Sequence, residues 1–123
     1  HIEELVSSLP YVDQIIVIGN ERMYVTALVI PDISELKLLA RKLNVAIEFE
    51  SDLFTNQVIL KQIEKDINDL QKNLASFEKI RKFNLLQTPF TIEGGELTPS
   101  LKIKRKFVEE KYKHIIDNMY HKV

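Results

Sequence analysis

Two short runs do most to decide what this chain can fold into. Tyr11–Ile18 and Tyr24–Ile30 are rich in β-branched and aromatic residues, which suit a pleated strand. Gly19–Met23 between them is short enough for an antiparallel hairpin, and Pro31 stops the second run. A lone hairpin is marginal in water, so its neighbours in sequence have to cover it. Ile2–Leu9 predicts a short helix with Ile2, Leu5, Val6 and Leu9 on one side, ended by Pro10.

The cover is written downstream at helical spacing. Asp32 followed by Glu35 predicts a capping pair, and Leu36, Leu39, Ala40 and Leu43 recur behind it. Ser51 or Asp52 opens a longer helical stretch, in which Leu60, Ile63, Ile67, Leu70, Leu74 and Phe77 form one apolar stripe. A coiled coil carries such a stripe too, but a helix lying on the sheet satisfies the strands. Lys82–Gln87 predicts a third strand. Thr88–Leu101 is irregular, broken by Pro89, Gly94, Gly95 and Pro99. Within it Thr91–Leu101 is expected to be the most mobile internal stretch. Lys104–Tyr120 predicts a last amphipathic helix, with Val108, Tyr112, Ile115, Ile116 and Met119 on one face. The expected fold is a single α+β domain over 1–123: a small, mostly antiparallel sheet, hairpin plus third strand, with helices packed on it.

Composition narrows the chemistry by exclusion. The 123 residues include no cysteine, so disulfides, thiolate metal sites and a catalytic thiol are excluded. A formal net charge of -1 gives no global pull toward nucleic acid or an anionic membrane. No apolar run approaches the roughly 20 residues that span a bilayer. Glycine occurs only at positions 19, 94 and 95, which leaves no phosphate-binding glycine loop. His1, His114 and His121 lie near the chain ends, without carboxylates at metal-ligand spacing, so no metal site is expected. Asp66 and Asp69, or Glu93 and Glu96, could be imagined as acid–base pairs. The first two lie off the apolar stripe and read as solvated, and the second two flank Gly94–Gly95 in an exposed turn.

One segment stands out. A loop with glycine and proline leads into Lys102, Lys104, Arg105 and Lys106, four cations in five residues. Three readings are open. The run is a solvated helix start, although cations oppose the macrodipole there. It is a basic patch for nucleic acid or an acidic partner, the reading of a nonenzymatic binding module. Or one lysine on the loop is aimed at phosphate or carboxylate oxygens. Phe107 and Tyr112, the aromatics nearest the run, fit the helix core.

The segment Glu96–Lys106, ELTPSLKIKRK, resembles the carboxy-terminal lysine motif of AMP-forming long-chain fatty acid–CoA ligases, members of the adenylate-forming acyl-CoA synthetase superfamily. Pro10–Gly19 with Tyr24–Asp32 resembles the hairpin that opens that family's carboxy-terminal domain. Leu74–Phe83 resembles the approach to its next strand, and Val108–Tyr120 its ending. The likeness covers nearly the whole chain in order. It implies a mobile lid whose large amino-terminal domain, absent from this chain, binds ATP and the fatty acid. The lid would supply Lys102 for acyl-adenylate formation, then rotate for thioester formation with CoA. Thr98, Pro99 and Ser100 would shape the loop, and Lys104, Arg105 and Lys106 would lie near CoA phosphates. ATP, CoA and Mg2+ are implied for the full-length enzyme and none for the fragment, which is expected to be inactive alone. Its partners would be its own amino-terminal domain and its substrates, not nucleic acid, in a cytoplasmic setting that includes the membrane surface. In much of the superfamily glycine precedes the lysine. Here Leu101 does, as in the long-chain subgroup.

Overall fold

A computed structural model describes residues 1–121. The two β-rich runs form the expected hairpin, β1 (Val12–Ile18) and β2 (Val25–Pro31), paired antiparallel with a register irregularity between Val12 and Gln14. α1 (Ile2–Ser7) precedes them. α2 (Ile33–Lys42) and α3 (Gln57–Leu70) follow, then β3 (Ile80–Leu85), α4 (Arg105–Lys111) and α5 (Lys113–Met119). The class is α+β as the sequence indicates. The third strand adds a refinement, because it lies parallel to β2 and makes the sheet mixed, in the order β1-β2-β3. The connection explains this: helices α2 and α3 carry the chain across one face and return it in the same direction.

β2 is the middle strand, and Thr26 through Pro31 are all buried. Neighbouring side chains on a strand point to opposite faces, so β2 needs a cover on each. On the first face Ile15, Ala27 and Val29 meet Val6 of α1, Leu36 and Ala40 of α2, and Ile59, Ile63 and Ile67 of α3. On the second face Ile16, Ile18, Leu28 and Ile30 meet Leu86, Phe90, Leu97, Val108, Ile116 and Met119. The functional segment belongs to this second layer.

Several boundaries differ from the expectations. Half of the capping pair at Asp32 forms: its carboxylate accepts from Glu35 N–H at 3.1 Å. The reciprocal bond does not, because Asp32 N–H donates to Tyr11 O at 2.8 Å, closing the end of the hairpin. The long helical stretch is broken. A 3-10 turn at Glu50–Phe54 precedes α3, whose start is set by Asn56, its side chain accepting from Val58 and Ile59 N–H. α3 ends at Leu70 because Gln71 turns inward. Its buried amide accepts from Ile80 N–H at 2.9 Å and donates to Ile80 O at 2.8 Å. Leu74 and Phe77 therefore lie beyond the helix, with Phe77 77% exposed. The third strand starts two residues earlier than expected. The last helix is two helices, since Tyr112 leaves helical geometry at φ -105, ψ 20. Asp66, expected to be solvated, accepts the Tyr11 hydroxyl at 2.8 Å. Burial first, then this bond and the Asp66 charge, push the Tyr11 phenol well up.

Candidate functional site

The irregular stretch contains a small hairpin. Leu97 and Ile103 form an antiparallel bridge, and Lys104 N–H donates to Glu96 O at 2.7 Å. Pro99, Ser100 and Leu101 make the loop at its tip. Thr98 N–H donates to Lys102 O and Leu101 N–H to Thr98 O, both at 2.8 Å. Lys102 N–H donates to the Thr98 hydroxyl at 3.0 Å, and that hydroxyl lies 3.1 Å from the Ser100 hydroxyl. Pro99 suits the second position of such a turn because its φ is already fixed. Leu101 takes φ 67, the left-handed residue that closes a three-residue hairpin loop. A non-glycine residue there costs about 1–2 kcal/mol. Glycine would take this conformation without that cost, so leucine and glycine at this position can serve the same backbone turn.

The hairpin base is locked from inside. Glu96, expected in an exposed turn, is 1% exposed. One carboxylate oxygen accepts from Thr91 N–H at 2.9 Å, and the other takes the Lys111 ammonium of α4. Burial pushes this carboxyl up, but the Lys111 ammonium and the Thr91 amide outweigh it and hold the carboxyl below its ordinary value. The two glycines make room for the lock. A side chain on Gly94 would come within 2.4 Å of the Glu96 carboxylate, and one on Gly95 within 2.7 Å of the Phe107 ring. Thr91–Leu101, the stretch expected to be mobile, is thus held by the half-buried Glu96–Lys111 pair, the Leu97–Ile103 bridge and Leu97 in the core. Glu93 stays exposed and does not join Glu96.

The four cations have different settings. Lys102 follows the turn with an exposed side chain. Lys104 is exposed and lies 5.6 Å from the centre of the Phe107 ring. Lys106 is exposed on α4. None of these three makes an ion pair among the described residues. Arg105 turns back onto the free edge of β1. Its guanidinium donates to Val17 O at 2.6 Å and pairs with Glu3 at 3.1 Å, while Glu3 accepts from Val17 N–H at 2.8 Å. Phe107 is not in the core: it is 40% exposed, with its ring tip over Gly95. Tyr112 does pack inward, 6.2 Å from Phe90.

Two further side chains hold this layer to the sheet, and sequence reasoning passed over both. The Gln14 amide accepts from Phe90 N–H at 3.0 Å and donates to Phe90 O at 3.3 Å. The Tyr120 hydroxyl lies 2.7 Å from Tyr24 O and 3.1 Å from Ile18 O, and accepts from the buried Thr26 hydroxyl at 3.0 Å. The adjacent glycines were the one available signal for Glu96, since they mark close approach. Nothing local marks Gln14 or Tyr120.

Comparison with known proteins places this geometry. The AMP-binding enzyme C-terminal domain family matches residues 1–123, and the chain belongs to that family. It is 30% identical over 122 residues to the long-chain-fatty-acid–CoA ligase FadD15 of Mycobacterium tuberculosis, covering 98% of this chain and 20% of that protein. It is 34% identical over 125 residues to long-chain-fatty-acid–CoA ligase 5 of Mus musculus, covering 99% of this chain and 18% of that protein. The adenylation domain of a carboxylate reductase from Mycobacterium chelonae superposes with a TM-score of 0.76 at 28% identity, over 97% of this chain and 17% of that one. The chain thus spans about a fifth of the length of these curated relatives. No helix among the described residues is long and apolar enough to cross a membrane.

Proposed function

We propose that this chain is the mobile carboxy-terminal domain of a long-chain fatty acid–CoA ligase, and that Lys102 is the residue it delivers to the adenylation step. The observation that carries the reading is the setting of Lys102. It follows the tip of a hydrogen-bonded hairpin, with an exposed side chain in no ion pair among the described residues.

In the first half-reaction a fatty carboxylate oxygen attacks the α-phosphorus of ATP, and pyrophosphate leaves. An ammonium between carboxylate and phosphate oxygens offsets their repulsion and the charge that builds as the bond forms. In the second, the CoA sulfur attacks the acyl carbonyl and AMP leaves. The hairpin then has to withdraw to admit the thiol, which a separate domain can do by rotating. Lys104 and Lys106 are the cations left to meet CoA phosphates, while Arg105 holds the start of α4 to β1. The described residues offer no group of three His, Asp or Glu for a metal ion. On their own they do not make up a Mg2+ site.

The test uses the full-length protein with each half-reaction measured alone. Lys102→Ala lowers acyl-adenylate formation about a hundred- to a thousandfold. It leaves thioester formation from supplied acyl-adenylate largely intact. Lys102→Arg rescues poorly, because a planar guanidinium does not occupy the place of a point-like ammonium. Lys104→Ala and Lys106→Ala remove the same charge nearby, and equal losses at all three positions would sink the single-lysine assignment.

A further inference from the structure

Leu101 is an oddity that the backbone turn does not explain. Three non-glycine residues have left-handed φ among the described residues: Glu21 at 60, Asn44 at 57 and Leu101 at 67. Glu21 and Asn44 are polar and sit in solvent-facing turns. Asparagine tolerates this region because its short polar side chain bonds locally. Leu101 has no such help. Leu101 is 67% exposed and joins neither core, so burial on this chain does not offset the strain. Glycine would satisfy the same hydrogen bonds at lower cost.

A strained, exposed, apolar residue next to Lys102 implies that the side chain has work elsewhere. We infer that Leu101 is a positioning residue for adenylation: its side chain seats against the amino-terminal portion of the same polypeptide when Lys102 is delivered, and so fixes the depth and angle of the hairpin tip. The occupant follows from two facts. The chain spans about a fifth of its curated relatives, so their remaining length is the surface such a tip would meet. The tip is also rigid, since Thr98 holds both Leu101 and Lys102 by backbone and hydroxyl, so where Leu101 rests Lys102 must follow. This rests on the reading of Lys102 given above.

The experiment again uses full-length protein, with Leu101→Gly, Leu101→Ala and Leu101→Met beside Lys102→Ala. Glycine frees the backbone and deletes the side chain. Alanine deletes it and keeps the strain, and methionine keeps both strain and apolar bulk. Leu101→Gly and Leu101→Ala are expected to lower kcat for acyl-adenylate formation about tenfold, the scale of losing most of one buried leucine contact. The KM for ATP and thioester formation from supplied acyl-adenylate should hold, and Leu101→Met should stay near the parent rate. A thermal melt of Leu101→Gly no lower than the parent shows that folding is not the cause. Parent-level adenylation by Leu101→Gly, equal loss in all three variants, or loss in both half-reactions each overturns the proposal. Lys102→Ala separates the two ideas. Loss there without loss at Leu101→Gly overturns the positioning role alone, and no loss at Lys102→Ala overturns the reading beneath it.

Discussion

The two faces of the sheet are closed in different ways. On the first, three helices lay aliphatic side chains on Ile15, Ala27 and Val29, joined by polar bonds from the buried Tyr11 and Gln71 side chains. On the second, the apolar core is smaller, and the layer above it is fixed by directional contacts. Gln14 grips the Phe90 backbone, Tyr120 grips the β1–β2 turn, and Glu96 grips α4. Hydrophobic burial is non-directional and sets how tightly layers adhere, whereas hydrogen bonds to fixed partners set where each atom stands. The face that presents Lys102 is the one built from the second kind of contact. On the proposed reading of Lys102 the domain has to place one ammonium accurately, and adhesion alone would not do that.

Four measurements test that contrast. Ile63→Ala removes a fully buried side chain from the first face, at an expected cost of about 2–5 kcal/mol in denaturant unfolding. Both faces share β2, so the loss should appear as one cooperative transition. Two separate transitions would mean the faces are independent units. Glu96→Gln acts only on the second face. It loses the charge-assisted bond to Lys111, and amides of 97–104 should exchange with deuterium roughly tenfold faster while those of α3 stay unchanged. The same lock should open with acid. The Glu96 carboxyl is held below its ordinary 4.5 in the folded chain, so its contribution is complete above that pH and is lost as pH falls through the lowered value. Protection in 97–104, measured against the intrinsic amide exchange rate at each pH, that stays flat below about 4.5 would count against the lock. The smallest effect belongs to the exposed pair Arg22–Asp117 at 3.1 Å, which joins the hairpin turn to α5. Arg22→Ala should cost under about 1 kcal/mol and weaken further with salt. A larger loss would move this pair into the class of directional contacts.

How much of this was legible follows from where each signal lies. β1, β2 and their turn could be read because β-branched runs and a short connection are local facts. α3 was read too long because Leu74 and Phe77 keep the helical spacing by chance. The signals that bound it, the Asn56 cap at its start and the demand of Ile80 for the Gln71 amide at its end, belong to other positions. Glu96 was misread because its partner Lys111 lies 15 residues on, in a different element. Gln14 meets Phe90 across 76 residues, a separation at which spacing carries no information. The lysine segment was readable as a cationic run, and its resemblance to a known motif pointed to Lys102. Which cation is engaged by the sheet was not readable, because nothing in the order Lys-Ile-Lys-Arg-Lys says that Arg105 reaches back to Val17.

That reach has a consequence for how the chain comes to be folded. The outer edge of β1 is shielded at Val17 by Glu3 on one side and Arg105 on the other, and Arg105 lies 88 residues after the carbonyl it covers. A chain made from its amino terminus at roughly 5–20 residues per second leaves that carbonyl waiting on the order of ten seconds for its arginine. Glu3 can satisfy the Val17 amide early, yet the carbonyl beside it stays available to any other extended chain until the last part of the domain is synthesised. Unfinished chains are therefore the form in which this strand is most open to pairing with the wrong neighbour.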